Sequence, residues 1–281
     1  MRIAVCVKQI PDPATPYQLA PDTHRVMRPN DQVLDDTDRF GVEVGLQIAD
    51  GNDGSVTLFS MSPSGSLQGI RQALAMGADK AVIIDDAALA GSDALTTARI
   101  LAAAIDREGF DLVIAGTEST DGYSGVVPQQ IAELLDVPSL TFARKVDAVD
   151  GVVRIEQQTS GGYDVVEAPL PALLSVTSGV VEPRYPTVQG LMQERGAMAR
   201  VPRSRIFALG MQAAAAINDP ASFSYFLECG RAGALLETLE AREAIRRTAI
   251  PQGLRRQEEA AHRRVSAARA QLQRIAGTGD L

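Results

Sequence analysis

The chain reads as an α/β protein: a doubly wound, mostly parallel sheet with antiparallel strands added at one edge and a helical C-terminal extension. Three observations predict it. Short β-branched apolar runs alternate with helix-period stretches from Arg2 to Ala115. After Pro138 helical stretches give way to short strands separated by turns. From about Leu209 the composition turns Ala-, Arg- and Glu-rich. Strand–helix alternation favours parallel strands joined by right-handed crossovers.

The elements follow in order. Arg2–Val7 is a short apolar run suited to a buried parallel strand. Pro11, Pro13, Pro16 and Pro21 make a long loop. Asp36 to Asp50 is a helix, with Phe40, Val44 and Ile48 recurring every four residues. Gly51-Asn-Asp-Gly54 turns the chain into a strand at Ser55–Ser60. Leu67 to Met76 is a helix closed by Gly77, and Ala81–Ile84 is the third strand. Ser92 can cap a helix running through Arg107, with Leu95, Ile100 and Leu101 among its buried residues. Asp111–Ala115 is the fourth strand, and a helix starts near Val126. Strands near Leu140–Arg144, Val152–Gln157, Asp164–Glu167 and Ala172–Val176 are expected to form antiparallel hairpins on the sheet edge.

Residues 1–208 therefore form the α/β domain and residues 209–281 the helical extension. Pro251-Gln-Gly253 divides two helices in that extension. In the second, Leu254, Ala261, Val265, Ala268, Leu272 and Ile275 form a narrow apolar seam. That seam suits packing on its own domain or on a partner subunit.

Net charge is −8, and an acidic chain is a poor ligand for nucleic acid. The charge is uneven. From Ala241 to Leu281 nine Arg and four acids give +5, leaving −13 on residues 1–240. Two distant cysteines, Cys6 and Cys229, make neither a disulfide framework nor a zinc site. His24 and His262 have no neighbouring ligand candidates, so no metal is expected. The first residues read as a strand rather than a signal h-region, and no apolar run is long enough to span a bilayer. A cytoplasmic protein is expected.

Open α/β sheets bind ligands at the carboxyl ends of their strands. Three segments should meet there: Cys6–Lys8, Ser60–Pro63 and Gly116–Gln129. The last contains Gly116-Thr-Glu-Ser-Thr-Asp-Gly-Tyr-Ser-Gly125, rich in glycine and small hydroxyls, just before a helix. Its backbone N–H groups can cradle a phosphate, although an ordinary glycine-rich turn into a helix has the same composition. The acidic cluster Asp35, Asp36 and Asp38 can cap the following helix or accept hydrogen bonds from a nucleotide. Ser119 and Ser124 have no histidine beside them, and no constellation for acid–base or covalent catalysis is present.

One further segment stands out. Glu182-Pro-Arg-Tyr-Pro186 leads into Val188, Leu191 and Met192. Two prolines stiffen it, and an apolar tip on a stiff arm suits contact with another protein.

Several motifs in this order resemble one family, the β subunit of electron transfer flavoprotein. They are the opening Ile3-Ala-Val-Cys-Val-Lys-Gln-Ile-Pro-Asp12, Asp38-Arg-Phe-Gly-Val-Glu43, and Arg71-Gln-Ala-Leu-Ala-Met-Gly-Ala-Asp79. Gly116 with Thr120-Asp-Gly122, Pro169-Leu-Pro-Ala-Leu-Leu-Ser175 and Glu182-Pro-Arg-Tyr-Pro186 complete the series, covering about residues 1–200. The resemblance implies an adenine nucleotide alpha hydrolase-like fold. It also implies a heterodimer with an α subunit that holds most of the FAD site, and AMP, or a second FAD in bifurcating members, in the β subunit. The positions that match the family's nucleotide contacts are Cys6, Asp35, Asp36, Thr37, Asp38 and Met61. In the loop they are Gly116, Thr117, Asp121, Gly122, Tyr123, Ser124, Gly125, Val126 and Val127. The docking arm maps onto Glu182–Arg195, with Glu182, Pro183, Arg184, Tyr185, Val188, Leu191 and Met192 facing a dehydrogenase.

The chain departs from that pattern at four places. Asp35-Asp36 stands for the family's Asn-Pro, Val181 for an Asn, and Gln193-Glu194-Arg195 for a lysine cluster. The tail from about Leu209 does not match the family's C-terminal arm. The function implied is an electron carrier between flavin dehydrogenases and a downstream acceptor such as a quinone oxidoreductase, rather than a catalyst by itself. A bifurcating subunit with its own FAD and a stand-alone adenine-nucleotide sensor are the alternatives.

Overall fold

The computed structural model of the chain describes residues 1–28, 32–62, 67–86, 89–186 and 198–201. The expected helical extension, the arm tip Val188, Leu191 and Met192, and the tail seam lie outside them.

The central sheet grows from apolar runs. β1 (Arg2–Cys6), β4 (Ser55–Met61), β5 (Lys80–Ile84), β6 (Leu112–Gly116) and β10 (Ala172–Val176) are short and almost wholly buried. With β7 (Ser139–Val149), β8 (Val152–Thr159), β9 (Gly162–Pro169) and β11 (Met198–Val201) they form nine strands in the order β11-β5-β4-β1-β6-β10-β7-β8-β9. From β11 to β7 every neighbour is parallel; β7–β8 and β8–β9 are antiparallel.

Helices cover both faces, as a parallel sheet requires. α1 (Asp36–Gly51) and α2 (Gln68–Ala75) pack on one face, burying Val42, Leu46, Ile70 and Leu74 with Ile3 and Val5 of β1. α3 (Ala94–Glu108) and α4 (Val127–Leu134) pack on the other with Ala4, burying Ile100, Ile105 and Ile131. The period-two alternation Ile3, Ala4, Val5 thus divides β1 between two cores.

Four expectations change. The strand Ala172–Val176 is not part of an edge hairpin. It inserts parallel between β6 and β7, and its five residues are all buried. An unbroken apolar run suits a strand covered on both faces, whereas β9 is largely exposed and lies at the edge. The cap of α3 is Asp93, whose carboxylate accepts from Thr96 N, while the Ser92 hydroxyl donates to the Leu89 carbonyl. Leu95 is exposed, because the helix turns that position away from the sheet. The proline-rich stretch is also bounded by structure: β2 (Gln9–Pro11) pairs antiparallel with β3 (Gln32–Leu34). Buried Gln9 then accepts hydrogen bonds from Gly69 N and Ile70 N, serving the α2 N-terminus that lacks a cap of its own.

Candidate functional site

Two of the three expected segments meet at the carboxyl ends of the strands. Lys8, just past β1, donates from Nζ to Ser119 Oγ at 3.0 Å and to Asp121 Oδ1 at 2.7 Å. Arg28 pairs with the other Asp121 oxygen. Asp121 thus accepts two cations while its side chain is fully shielded from solvent. Burial pushes its carboxyl up, but the hydrogen bonds and charges of Lys8 and Arg28 outweigh this and hold it below the ordinary range. The third segment arrives at the same end of the sheet as Ser62, whose N–H donates to the Ile84 carbonyl.

The start of α1 is bound to the same loop. Asp35 Oδ1 accepts from Thr37 N and Oγ1, capping α1. Its Oδ2 accepts from Thr120 N at 2.7 Å and Thr120 Oγ1 at 3.0 Å. Asp38 Oδ2 accepts from Lys8 N at 2.6 Å. Burial and the neighbouring Asp35 charge raise the Asp38 carboxyl well above the aspartate range, although hydrogen bonds from Lys8 and Gly116 amides pull against them. Thr37 Oγ1 reaches the Glu118 carbonyl. Asp36 is not brought in: it faces solvent beside Arg39. The capping expected of this acidic cluster is therefore carried by Asp35, and Asp38 serves the main chain around Lys8.

Gly116 has a structural reason. A Cβ there would lie 2.9 Å from Asp38 Oδ1 and 3.1 Å from Thr37 Oγ1, so only glycine lets α1 approach the end of β6. Gly125, at φ +63°, supplies the left-handed turn just before α4. No side chain caps α4 at Val126. Pro128 has no N–H and Gln130 N donates to the Val126 carbonyl, so the N–H groups of Val127 and Gln129 are those left for another acceptor. On its first turn, Gln129 and Gln130 each bury an Oε1 with no hydrogen-bond partner. A helix start with open donors and orphaned acceptors fits a ligand that carries both an anionic group and N–H or O–H donors.

A cleft of about 470 Å³ opens beside the loop. Thr37, Thr117, Glu118, Thr120 and Tyr123 line one side; Phe142, Gln158, Thr159, Thr177 and Ser178 line the other. Tyr123 at φ 47° and Phe142 at φ 55° are exposed and left-handed. Sequence reading missed the second wall and Arg28. The wall comes from β7, β8 and the end of β10, whose adjacency is a tertiary fact. The turn-rich Ser160-Gly-Gly162 and Thr177-Ser-Gly179 were its only local signal.

Cys6 and Met61 lie at the ends of β1 and β4 and pack against the second core rather than lining the cleft. Burial, helped by Asp38, pushes the Cys6 thiol up to about 12, which leaves it protonated at neutral pH. Gly122, Ser124 and Val127 lie in the loop and at the start of α4. Among the arm residues, Arg184 folds back on Glu43 and Asp50 of α1, and Tyr185 projects into solvent, 81% exposed. Among the described residues no helix is long and apolar enough to cross a membrane.

Comparison with known proteins agrees with the motif order. A family profile described as "Electron transfer flavoprotein domain" matches residues 24–204. Electron transfer flavoprotein subunit beta of Mycobacterium tuberculosis is 44% identical over 197 residues, covering 68% of this chain and 74% of the relative. The Megasphaera elsdenii subunit beta is 37% identical over 206 residues, covering 69% and 75%. Subunit CarD of the caffeyl-CoA reductase-Etf complex of Acetobacterium woodii is 36% identical over 195 residues, covering 68% and 74%. On the fold, the profile and these identities together, the chain belongs to the electron transfer flavoprotein β-subunit family.

Proposed function

We propose that this chain is the nucleotide-binding, partner-docking β subunit of a heterodimeric electron transfer flavoprotein. The observation that carries the reading is the uncapped start of α4, reached by a loop that Asp35, Asp38 and Lys8 hold in place. AMP is the proposed occupant of this loop: its phosphate takes the α4 N–H groups, and donors on its ribose or adenine meet Gln129 and Gln130. Cys6, Asp35, Thr37, Asp38 and Met61 then support the loop from behind more than they touch the nucleotide.

FAD, shared with and held mainly by the α subunit, supplies the one-electron chemistry when bound. This chain contributes scaffold, nucleotide binding and recognition of a flavin dehydrogenase through residues 182–195; a quinone oxidoreductase is the proposed downstream partner. Two features favour this over a free-standing nucleotide sensor: the exposed Tyr185 at the root of the arm, and the absence of any need for such an arm in a sensor. A bifurcating subunit, with FAD in place of AMP, is the second reading; the orphaned glutamine oxygens serve the adenine portion of either nucleotide.

Mass spectrometry of nucleotides released from the purified αβ complex tests the proposal. One FAD and one AMP per pair are expected. Two flavins would transfer the reading to bifurcation, and a colourless monomer that binds ATP would overturn it.

A further inference from the structure

Arg184 stands at the root of the proposed docking arm, and its main partner lies 141 residues earlier in the chain. Glu43, on α1, is only 3% exposed. A carboxylate is rarely buried that deeply without a matched cation. Its Oε2 accepts from both Arg184 N, at 3.1 Å, and Arg184 Nε, at 2.8 Å. Its Oε1 accepts from Arg184 Nη2 at 3.2 Å and from Gln47 Nε2 at 2.8 Å. Arg184 Nη2 also donates to Asp50 Oδ2 at 3.0 Å. Glu43, Gln47 and Asp50 fall at i, i+4 and i+7, on one face of α1.

Three things separate this contact from an ordinary surface ion pair. The acid is buried. The fork of the guanidinium is engaged in two directions, which fixes orientation as well as distance. The carboxylate also takes the backbone N–H, so the main chain itself is gripped. Just upstream, Val180 and Val181 pack against the main core, and Pro183 fixes φ. Just downstream, Tyr185 is free in solvent. The chain is therefore held through Arg184, and Tyr185 is the first residue beyond that grip.

We propose that Glu43 and Arg184 are positioning residues for partner docking, their forked pair on α1 setting the direction in which the chain leaves the domain at Tyr185. The proposal rests on the reading of residues 182–195 as the docking element. A segment that starts in one direction loses less conformational freedom on association, so the pair acts on docking without touching the partner. The same helix carries Asp35 and Asp38 at its start, about 8–12 Å from Glu43 along the axis at 1.5 Å per residue. α1 is thus braced against the nucleotide loop at one end and against the arm root along its side.

The test is a distance measurement on the αβ complex formed with the full chain. Nitroxide labels are placed at Asp164→Cys on exposed β9 and at Gln189→Cys, in a Cys229→Ser background; Cys6, with its thiol pushed up to about 12, stays unlabelled. The unaltered Glu43–Arg184 pair is expected to give a single narrow distance by pulsed electron spin resonance. Arg184→Gln is expected to lose that single distance while flavin content holds. Its melting temperature falls because Glu43 is left buried without its cation, so distances are taken well below that temperature. Arg184→Lys, which keeps the charge but cannot fork between Glu43 and Asp50, is expected to lose it in part. Glu43→Gln should behave like Arg184→Gln; if its buried amide prevents folding, the surface variant decides. A broad distribution with the pair intact, or a narrow one that survives Arg184→Gln, overturns the proposal. Failure of the docking reading appears separately: electron acceptance from a flavin dehydrogenase would survive Val188→Asp while the distance results stood.

Discussion

Asp35 and Thr120 are joined by two hydrogen bonds, Thr120 N and Oγ1 both donating to the same carboxylate oxygen. The other oxygen caps α1 through Thr37. One fully buried side chain thus locks the first helix to the proposed nucleotide loop. Asp35→Ala removes all of these acceptors and leaves buried donors behind. A loss of about 3 kcal/mol is expected. Thermal denaturation should show it as a fall of roughly 6–12 °C, accompanied by nucleotide loss in the released-nucleotide assay.

Asp121 gives a pH dependence with a defined sign. Its carboxyl is held below the ordinary range in the folded chain, because Lys8 and Arg28 outweigh burial. A depressed acid contributes stability that is complete above its unfolded value, near 3.9, and lost as pH falls through the folded value. Asp121→Asn should therefore cost about 2 kcal/mol at neutral pH, the order expected for hydrogen bonds to charged groups. The gap between variant and parent should close below about pH 4. Urea denaturation at several pH values reads this directly; a gap independent of pH would mean the pairing contributes nothing.

Cys6 should resist alkylation. With its thiol pushed up to about 12, only roughly one molecule in ten thousand is thiolate at pH 8. Peptide mass spectrometry after iodoacetamide treatment of the folded chain should find Cys6 unmodified. Modification as fast as that of a free thiol would show that Asp38 and burial do not govern it.

Gly116→Ala places a methyl against Asp38 and Thr37 at distances below van der Waals contact. Backbone accommodation is expected to cost about 1–3 kcal/mol. The displaced loop should also retain less nucleotide than the parent does after gel filtration. Full retention would mean that the loop moves without consequence for its ligand.

Val188→Asp tests the arm itself. A carboxylate at an apolar tip should abolish electron acceptance from a partner dehydrogenase and leave the bound flavin unchanged. The visible spectrum and a reduction rate, taken on the same preparation, separate the two effects.

The sheet was legible where chemistry is local. Runs such as Ile3–Val5 and Leu112–Ala115 can only be buried strands, and the helix stripes of α1 and α3 follow from spacing. Order was not legible. Ala172–Val176 looks like one more short strand until β6 and β7 are seen to accept it between them. The site divides the same way. The glycine-rich loop and Asp35 announce themselves in sequence, whereas Phe142, Gln158 and Thr177 join the cleft only because β10 lies beside β7. Glu43 was hidden for a related reason. Its burial depends on Arg184, and nothing within the helix foretells a partner 141 residues away.

The late position of β10 in the chain also bears on how the domain is made. During synthesis β6 emerges well before β10, and the hairpins β7–β9 emerge between them. Those hairpins hold together through neighbours in sequence and can form on their own side first. They cannot join the growing sheet until Ala172–Val176 leaves the ribosome, because β6 and β7 have no direct ladder between them. A nascent chain stalled before that point would carry two open strand edges facing each other, the kind of surface that recruits chaperones or other chains. Only the edge strand β11 is added later; the middle of this sheet stays open until five residues fill it.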